Sequence, residues 1–334
     1  MTGHVSLPMI ARMDIVTPHA QQHPDQAAAA LAHLSELIAT DPALQTAEVG
    51  RILRLVPKRR AIVAGWLHGS PAVFRLSLHP DETAGFARQW KELQRAQSFM
   101  AAGQHRIAAP LALAAEGQVL VVSLAPGHPM LELVWGLEPP ERLAHLRAAA
   151  QWLSCYQAPT TEHSPVLWKG WFKKAEAALA RQTHASLQEM EARVLRRMKA
   201  LGRRLQEQES WRTAIGHGDF HPNNLIVSEG VLNGIDLGGS SRIPIYKDMA
   251  RFLTHMARRG TTISSERRFG VDAATYAAFV DAFALDRREA ELCLPFMICF
   301  ETLIRVEHPD MPPARVNHAL TMAKALQADI KAVL

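Results

Sequence analysis

Eight residues, His217-Gly218-Asp219-Phe220-His221-Pro222-Asn223-Asn224, place a carboxylate, two imidazoles and a carboxamide in one short stretch. An apolar run, Leu225-Ile226-Val227, follows directly, and a second acid comes later in Ile235-Asp236-Leu237-Gly238-Gly239. A base, an amide oxygen and a second acid at such spacing are what metal-assisted phosphoryl transfer asks of a protein. In that chemistry Asp219 orients an acceptor hydroxyl. Asn224 and Asp236 supply the hard oxygen ligands that hold Mg²⁺ on a nucleotide's phosphates.

These side chains need a scaffold. The chain has 334 residues and is 48% hydrophobic, enough for one large or two moderate domains. At 21% charged residues, disorder over most of the length is excluded. Cys155, Cys293 and Cys299 show no paired or metal-ligand spacing, which points to a reducing compartment and a cytoplasmic protein. The N-terminus lacks a basic-then-apolar signal pattern, and no apolar run reaches the length of a membrane span, about 20 residues. The net charge is +5, with basic clusters at 51–60, 193–204 and Arg258-Arg259. No nucleic-acid-binding module accompanies them, so they read as solvated helix faces and phosphate-binding positions.

Residues 1–24 look irregular, with Pro8, Pro18 and Pro24, and Asp25 is expected to cap a helix running to about Thr40. Short apolar runs at 52–56, 61–66 and 72–78 predict a three-strand antiparallel meander turning at His68-Gly69. A helix over 81–102, ended by Gly103, and a buried strand at 119–122 follow. Beyond about residue 130 the periodicity is helical, over 141–156, 168–181, 187–205, 246–258, 271–284, 287–306 and 313–334. In 187–205 an apolar stripe runs through Leu187, Met190, Val194, Met198, Leu201 and Leu205 and reads as core. The class is α+β. The expected division is an extension with one helix over 1–45, a small nucleotide-binding lobe over 46–125, and a helical catalytic and substrate-binding lobe over 126–334. Two lobes make a cleft, where ligands bind.

The block His217-Gly218-Asp219-x-His221-x-x-Asn224, with Ile235-Asp236 and Asp248-Met249-Ala250 beyond it, resembles the aminoglycoside phosphotransferase and choline kinase family over roughly residues 50–305. The resemblance implies the bilobal fold of protein kinases. It implies transfer of the γ-phosphoryl group of ATP, with GTP the less favoured donor, to a hydroxyl of a small molecule, with Mg²⁺ as cofactor. It implies that Asp219 is the catalytic base and that Asn224 and Asp236 are the metal ligands. His217 and His221 would brace the loop, and Asp248 would tie the next helix back to it.

The N-terminal part departs from the family pattern. Arg75 stands where a strand lysine is expected, with Glu92 its first candidate partner and Glu82 the second. Arginine holds phosphate bidentately but is not an equivalent group. Pro57-Lys58-Arg59-Arg60 occupies the place of a glycine-rich turn, so Lys58 and Arg59 are expected on the phosphates, with a solvated hairpin turn as the alternative. The backbone of Ser123, Leu124 and Ala125 matches the hinge that reads a base edge, although a strand end before Pro126-Gly127 explains it equally. Trp168, Trp171 and Phe172 fit sugar stacking or a helix core. The stretch 258–334 has no acidic run of the kind a polycationic aminoglycoside needs. That leaves a sugar, a lipid headgroup, an amino alcohol or a cell-envelope precursor as acceptor. The same departures allow a second reading, a catalytically weak kinase-like regulator that binds a nucleotide or a partner.

Overall fold

The computed structural model describes residues 23–207, 210–238, 241–261 and 263–334; residues 1–22, on which the expectation of an irregular stretch falls, and Gly239 lie outside these. Two compact units make up the chain. The first takes in residues up to Gln97 and Ala108–Ala125, the second Ser98–Ile107 and everything from Pro126 onward. The fold is α+β, with an antiparallel sheet on the N-terminal side and a mainly helical C-terminal part.

In the first unit, α1 (Pro24–Thr40) precedes β1 (Glu48–Val56), β2 (Arg60–Leu67) and β3 (Ser70–Ser77), and α2 (Pro80–Met100) follows. The strands pair as the alternation predicts, and His68 (φ +51°) and Gly69 (φ +72°) make the two-residue β2–β3 connection. Asp25 does not cap α1. Pro24, whose φ is already helical and whose missing N–H costs nothing in the first turn, starts the helix two residues earlier, with His23 in the cap position. The chain returns through β4 (His105–Ile107), β5 (Pro110–Ala114) and β6 (Val119–Ser123); β4 belongs to the second unit, and β5 and β6 complete a sheet of order β1-β2-β3-β6-β5. Ala72, Phe74 and Leu76 alternate onto the sheet face covered by Ala30 and Leu34 of α1 and by Leu44. The N-terminal helix thus packs behind this sheet. Arg75, one residue out of phase, lies on the opposite face, its guanidinium carbon 5.6 Å from the centre of the Phe86 ring of α2.

The second unit continues with β7 (His128–Pro129), α3 (Met130–Gly136), α4 (Pro139–Gln157), β8 (Glu162–Pro165), α5 (Trp168–Leu179), α6 (Ala185–Gln206) and β9 (Ser210–Ile215). A hairpin of β10 (Leu225–Ser228) and β11 (Val231–Gly234) follows, then β12 (Arg242–Pro244) and α7 (Tyr246–Ala257). The chain ends with β13 (Arg267–Arg268), β14 (Val271–Asp272), α8 (Ala273–Ala282), α9 (Leu294–Ile304) and α10 (Pro313–Val333). The helix expected over 287–306 is broken in character: Glu289–Cys293 is a π-turn, with Pro295 just beyond it in the first turn of α9. The short strands β8 and β12, which flank β9, carry too few residues for a period-2 signal. Among the described residues no helix is long and apolar enough to cross a membrane.

Three rings form the floor of this unit. Trp152 of α4 stacks on Tyr156 at 5.4 Å and on Phe220 at 5.7 Å, and its Nε1 donates to the Arg106 carbonyl at 2.7 Å. Gly234 makes room for that indole, since a Cβ there would lie 2.0 Å from the ring.

Candidate active site

The loop 216–224 leaves β9 and must present Asp219 while its neighbours stay bonded. Phe220 points into the ring stack and is fully buried, which pins the loop beside Asp219. Gly218 has φ +90°, a conformation other residues adopt only with strain. Asp248, fully buried in the first turn of α7, accepts the backbone N–H groups of His217 at 2.7 Å and Gly218 at 3.1 Å, and the amide of Gln157 at 3.2 Å. This carboxylate does for the loop what a helix cap does for a helix, satisfying orphan backbone donors with charge-assisted bonds.

His217 is fully buried against Trp152, Tyr156 and Phe220. Its Nε2–H donates to the Ile235 carbonyl at 3.0 Å, and its own carbonyl accepts Gly238 N–H at 2.9 Å. Burial lowers its pKa, so the ring is neutral and joins the two loops that carry Asp219 and Asp236.

The β10–β11 hairpin explains the spacing of the two candidate ligands. Glu229 (φ +46°) and Gly230 (φ +76°) form its two-residue turn, and Leu225 pairs with Gly234. Chain separation therefore closes to adjacency, and Ile235 N–H bonds the Asn224 carbonyl at 2.9 Å. The Asn224 side-chain nitrogen donates to the Asp219 carbonyl at 3.0 Å, so Oδ1 is the atom that could hold a cation. Asp236, the next residue after Ile235, sits at φ +59° without being glycine, a strain of the kind found at ligand sites. One amide oxygen and one carboxylate fit Mg²⁺, which keeps several waters and takes few protein ligands beside substrate phosphates. They do not suit zinc, which wants a closed nitrogen and sulfur set.

Asp219 itself is half-exposed and ringed by basic side chains. Arg251 Nε donates to Oδ1 at 2.7 Å, Arg305 Nη2 to the same oxygen at 3.3 Å, and His221 Nε2 lies 3.4 Å from Oδ2. Burial raises its pKa, but the His221 hydrogen bond and the Arg251 guanidinium outweigh it and hold the carboxyl well below the usual range. Such a group is a poor proton acceptor and a good hydrogen-bond acceptor. It suits the alignment of a hydroxyl for a loose transition state rather than early proton abstraction. His221 stacks on His255 of α7, with ring centres 4.6 Å apart. Sequence reading did not single out Arg251, although it lies three residues past Asp248, one turn along the same helix face. Arg305 carried no local signal at all.

In the first unit the predicted residues fare unevenly. Lys58, at φ +59°, is exposed at the β1–β2 turn after Pro57. Arg59 donates to Glu82 Oε1 at 2.7 Å and Arg60 to Oε2 at 2.9 Å, so Arg59 is tied down at the start of α2. Burial raises the Glu82 pKa, but both arginines more than reverse this and lower it. Glu82, the second candidate partner for Arg75, thus has both oxygens bonded by the arginines of the turn. Glu92 is buried and bonded through both oxygens by Arg95. At the expected hinge, Ser123 N–H bonds Ala109 O at 2.9 Å and Leu124 N–H bonds Pro71 O at 3.0 Å. Sheet pairing thus removes both N–H groups as donors to a base, leaving the carbonyls and Ala125. Trp168 is buried against Gly202. Trp171, edge-on to Phe300 at 4.9 Å, lines a cavity of about 270 Å³ with Gly216–Gly218 and Lys247.

The sequence profile of the phosphotransferase enzyme family matches residues 60–292. The chain belongs to that family. No curated protein sequence matches it. Among solved structures, the choline kinase LicA from Streptococcus pneumoniae is similar at a TM-score of 0.55 and 15% identity, over 89% of this chain and 99% of that one. A glucosamine kinase in complex with glucosamine, ADP and inorganic phosphate is similar at 0.54 and 15%, over 90% and 83%. The amicoumacin kinase hAmiN in complex with AMP-PNP, Ca²⁺ and Ami is similar at 0.52 and 13%, over 83% and 88%. At such identities these likenesses establish a shared protein-kinase-like fold.

Proposed function

We propose that this family member is a small-molecule kinase that moves the γ-phosphoryl group of ATP to a hydroxyl. The observation that carries the reading is the knot of Asp219, Asn224 and Asp236: Asn224 bonds the Asp219 backbone through its side chain and the residue before Asp236 through its carbonyl. Asp219 Oδ2, facing His221 at 3.4 Å, accepts the hydrogen bond of the incoming hydroxyl. The hydroxyl oxygen forms the new P–O bond while the bond to the β-phosphate oxygen breaks, ADP leaving with the electron pair, and the hydroxyl proton passes to Asp219 only once the new bond is largely formed. Magnesium would supply charge neutralisation at the nucleotide's phosphates. Asn224 Oδ1 and the Asp236 carboxylate would hold it, and Arg75 would contact the phosphates.

A catalytically weak regulator is the second reading. The Arg59 and Arg60 pairs to Glu82 and the sheet-bonded Ser123 and Leu124 favour it, because each removes a group from nucleotide binding. Thermal stability against ATP and GTP, with and without Mg²⁺, separates the two, since a ligand stabilises the state it binds. A Mg²⁺-dependent rise that Asp236→Ala removes supports the kinase, and turnover should then vanish in Asp219→Asn with the fold intact. No shift with any nucleotide moves the reading to the regulator.

A further inference from the structure

Five guanidinium groups, Arg251, Arg258, Arg259, Arg305 and Arg315, surround one cavity of about 210 Å³ beside Asp219, together with His255. Arg251 and Arg305 are the residues that bond Asp219 Oδ1, so the wall of the cavity is also the clamp on that carboxylate. Glu307 is the lining acid, and it is shared by Arg258 at 2.9 Å and Arg315 at 3.3 Å. Glu301 lies behind Arg305 at 3.4 Å and is shared with Lys247 at 3.3 Å. Arg259 donates to the His255 carbonyl at 3.2 Å and makes no ion pair with a carboxylate among the described residues.

Positive charge therefore exceeds negative charge around a partly closed space. Burial, and then the Arg315 and Arg251 charges, push the Arg259 pKa down to about 10. His255 Nε2 is buried without a hydrogen-bond partner, and burial and the flanking arginines push that ring down to about 2, so it is neutral. The C-terminal dipole of α7 favours cations at Arg258 and Arg259. It does not account for Arg305 after α9 or Arg315 on α10, which converge on the same space. Several arginine forks in one concavity match the oxygens of a phosphate or carboxylate.

We infer that the acceptor carries its own anionic group, a phosphate or carboxylate, which seats among these arginines while its hydroxyl lies at Asp219. This deepens the kinase reading and rests on Asp219 as the residue that aligns the hydroxyl. It also rejects polycations, since an ammonium group there would face five guanidiniums.

The test separates the two layers. In the absence of nucleotide, the full chain is titrated at constant ionic strength with inorganic phosphate, glucose 6-phosphate, glucuronate, glucose and glucosamine, following thermal denaturation. Label transfer from γ-labelled ATP to each sugar is then measured. The anions should raise the melting temperature and the neutral and cationic sugars should not. Arg259→Gln should weaken anion binding at least tenfold, Arg259→Lys should retain most of it, and Arg193→Gln on α6 should leave it unchanged. The comparison of glucose 6-phosphate with glucuronate tells a phosphate site from a carboxylate site. Stabilisation by glucosamine equal to that by the anions, no stabilisation by any anion, or anion binding untouched by Arg259→Gln overturns the inference. Anion binding lost in Arg259→Gln but unaccompanied by label transfer upholds the anion site and counts against the kinase reading. Anion binding retained in Asp219→Asn, with transfer lost, upholds both.

Discussion

Asp248→Ala isolates the part of the site that the fold must hold still. Asp248 is fully buried and receives three hydrogen bonds, from His217 N at 2.7 Å, Gly218 N at 3.1 Å and Gln157 Nε2 at 3.2 Å. Truncation removes the acceptor and leaves all three donors in place. A buried unpaired donor costs about 1–3 kcal/mol, so the loss should be about 3–6 kcal/mol after local relaxation or entry of a water. Asp248→Asn keeps one oxygen but turns an NH₂ toward a remaining donor, and should lose about half as much. Gln157→Leu removes a single long bond and leaves the two backbone donors bonded, so its cost should stay near 1 kcal/mol. Urea denaturation followed by circular dichroism measures each from the shift in midpoint at constant m. Native-state hydrogen exchange at the His217 and Gly218 amides should speed up in Asp248→Ala more than at β3 of the first unit. A loss below about 1 kcal/mol for Asp248→Ala, the size of an ordinary surface change, would refute the anchoring argument.

Three other outcomes are expected. Burial pushes Glu191 of α6 up to about 7 despite its Gln182 bond and the Arg258 charge, with Glu307 and His184 also facing it. The folded chain then holds a proton that the unfolded chain releases near 4.5, so stability falls as pH rises between those values, by about 3 kcal/mol in all. Glu191→Gln should abolish that slope and raise the melting temperature at pH 8 relative to the parent, and an unchanged pH profile sinks this account. Gly234→Ala should lower stability by about 1–3 kcal/mol or prevent folding, because the new methyl group meets a buried indole held between two rings; a neutral result in the same urea assay would show that the stack yields. If Arg75 contacts phosphates, Arg75→Ala should weaken ATP binding about tenfold or more, with Arg75→Lys recovering part of it, read by calorimetric titration. Affinity in Arg75→Ala equal to the parent's would move that role to another residue.

Much of the candidate site was legible because it is nearly contiguous. Asp219, Asn224 and Asp236 span one loop and one hairpin, and the hairpin has a two-residue turn that returns the chain on itself. Helices also declared themselves where apolar residues repeat over several turns, as in α6 and α10. Glu191 was illegible on α6 because a carboxylate on the buried face breaks the pattern that reveals the face. The arginines that bond Glu82 were illegible for another reason. Two arginines at the β1–β2 turn sit 22 and 23 residues away, and no spacing rule connects a turn to the first turn of a helix two strands further on.

Residue type and local periodicity determined the α+β class, the N-terminal meander and the longer helices, and singled out Asp219, Asn224 and Asp236 as candidates. These follow from backbone propensity and from side-chain alternation, which act over a few residues. Long-range packing decided how Asp219 is charged and what faces it. Arg251 comes from α7 and Arg305 from the end of α9, 86 residues beyond the carboxylate it bonds. The arginine cavity is assembled in the same way, from α7, the segment after α9 and α10. Such convergence has no one-dimensional signature, because a guanidinium on a helix end reads as a solvated charge until the neighbouring helices bring four others toward it.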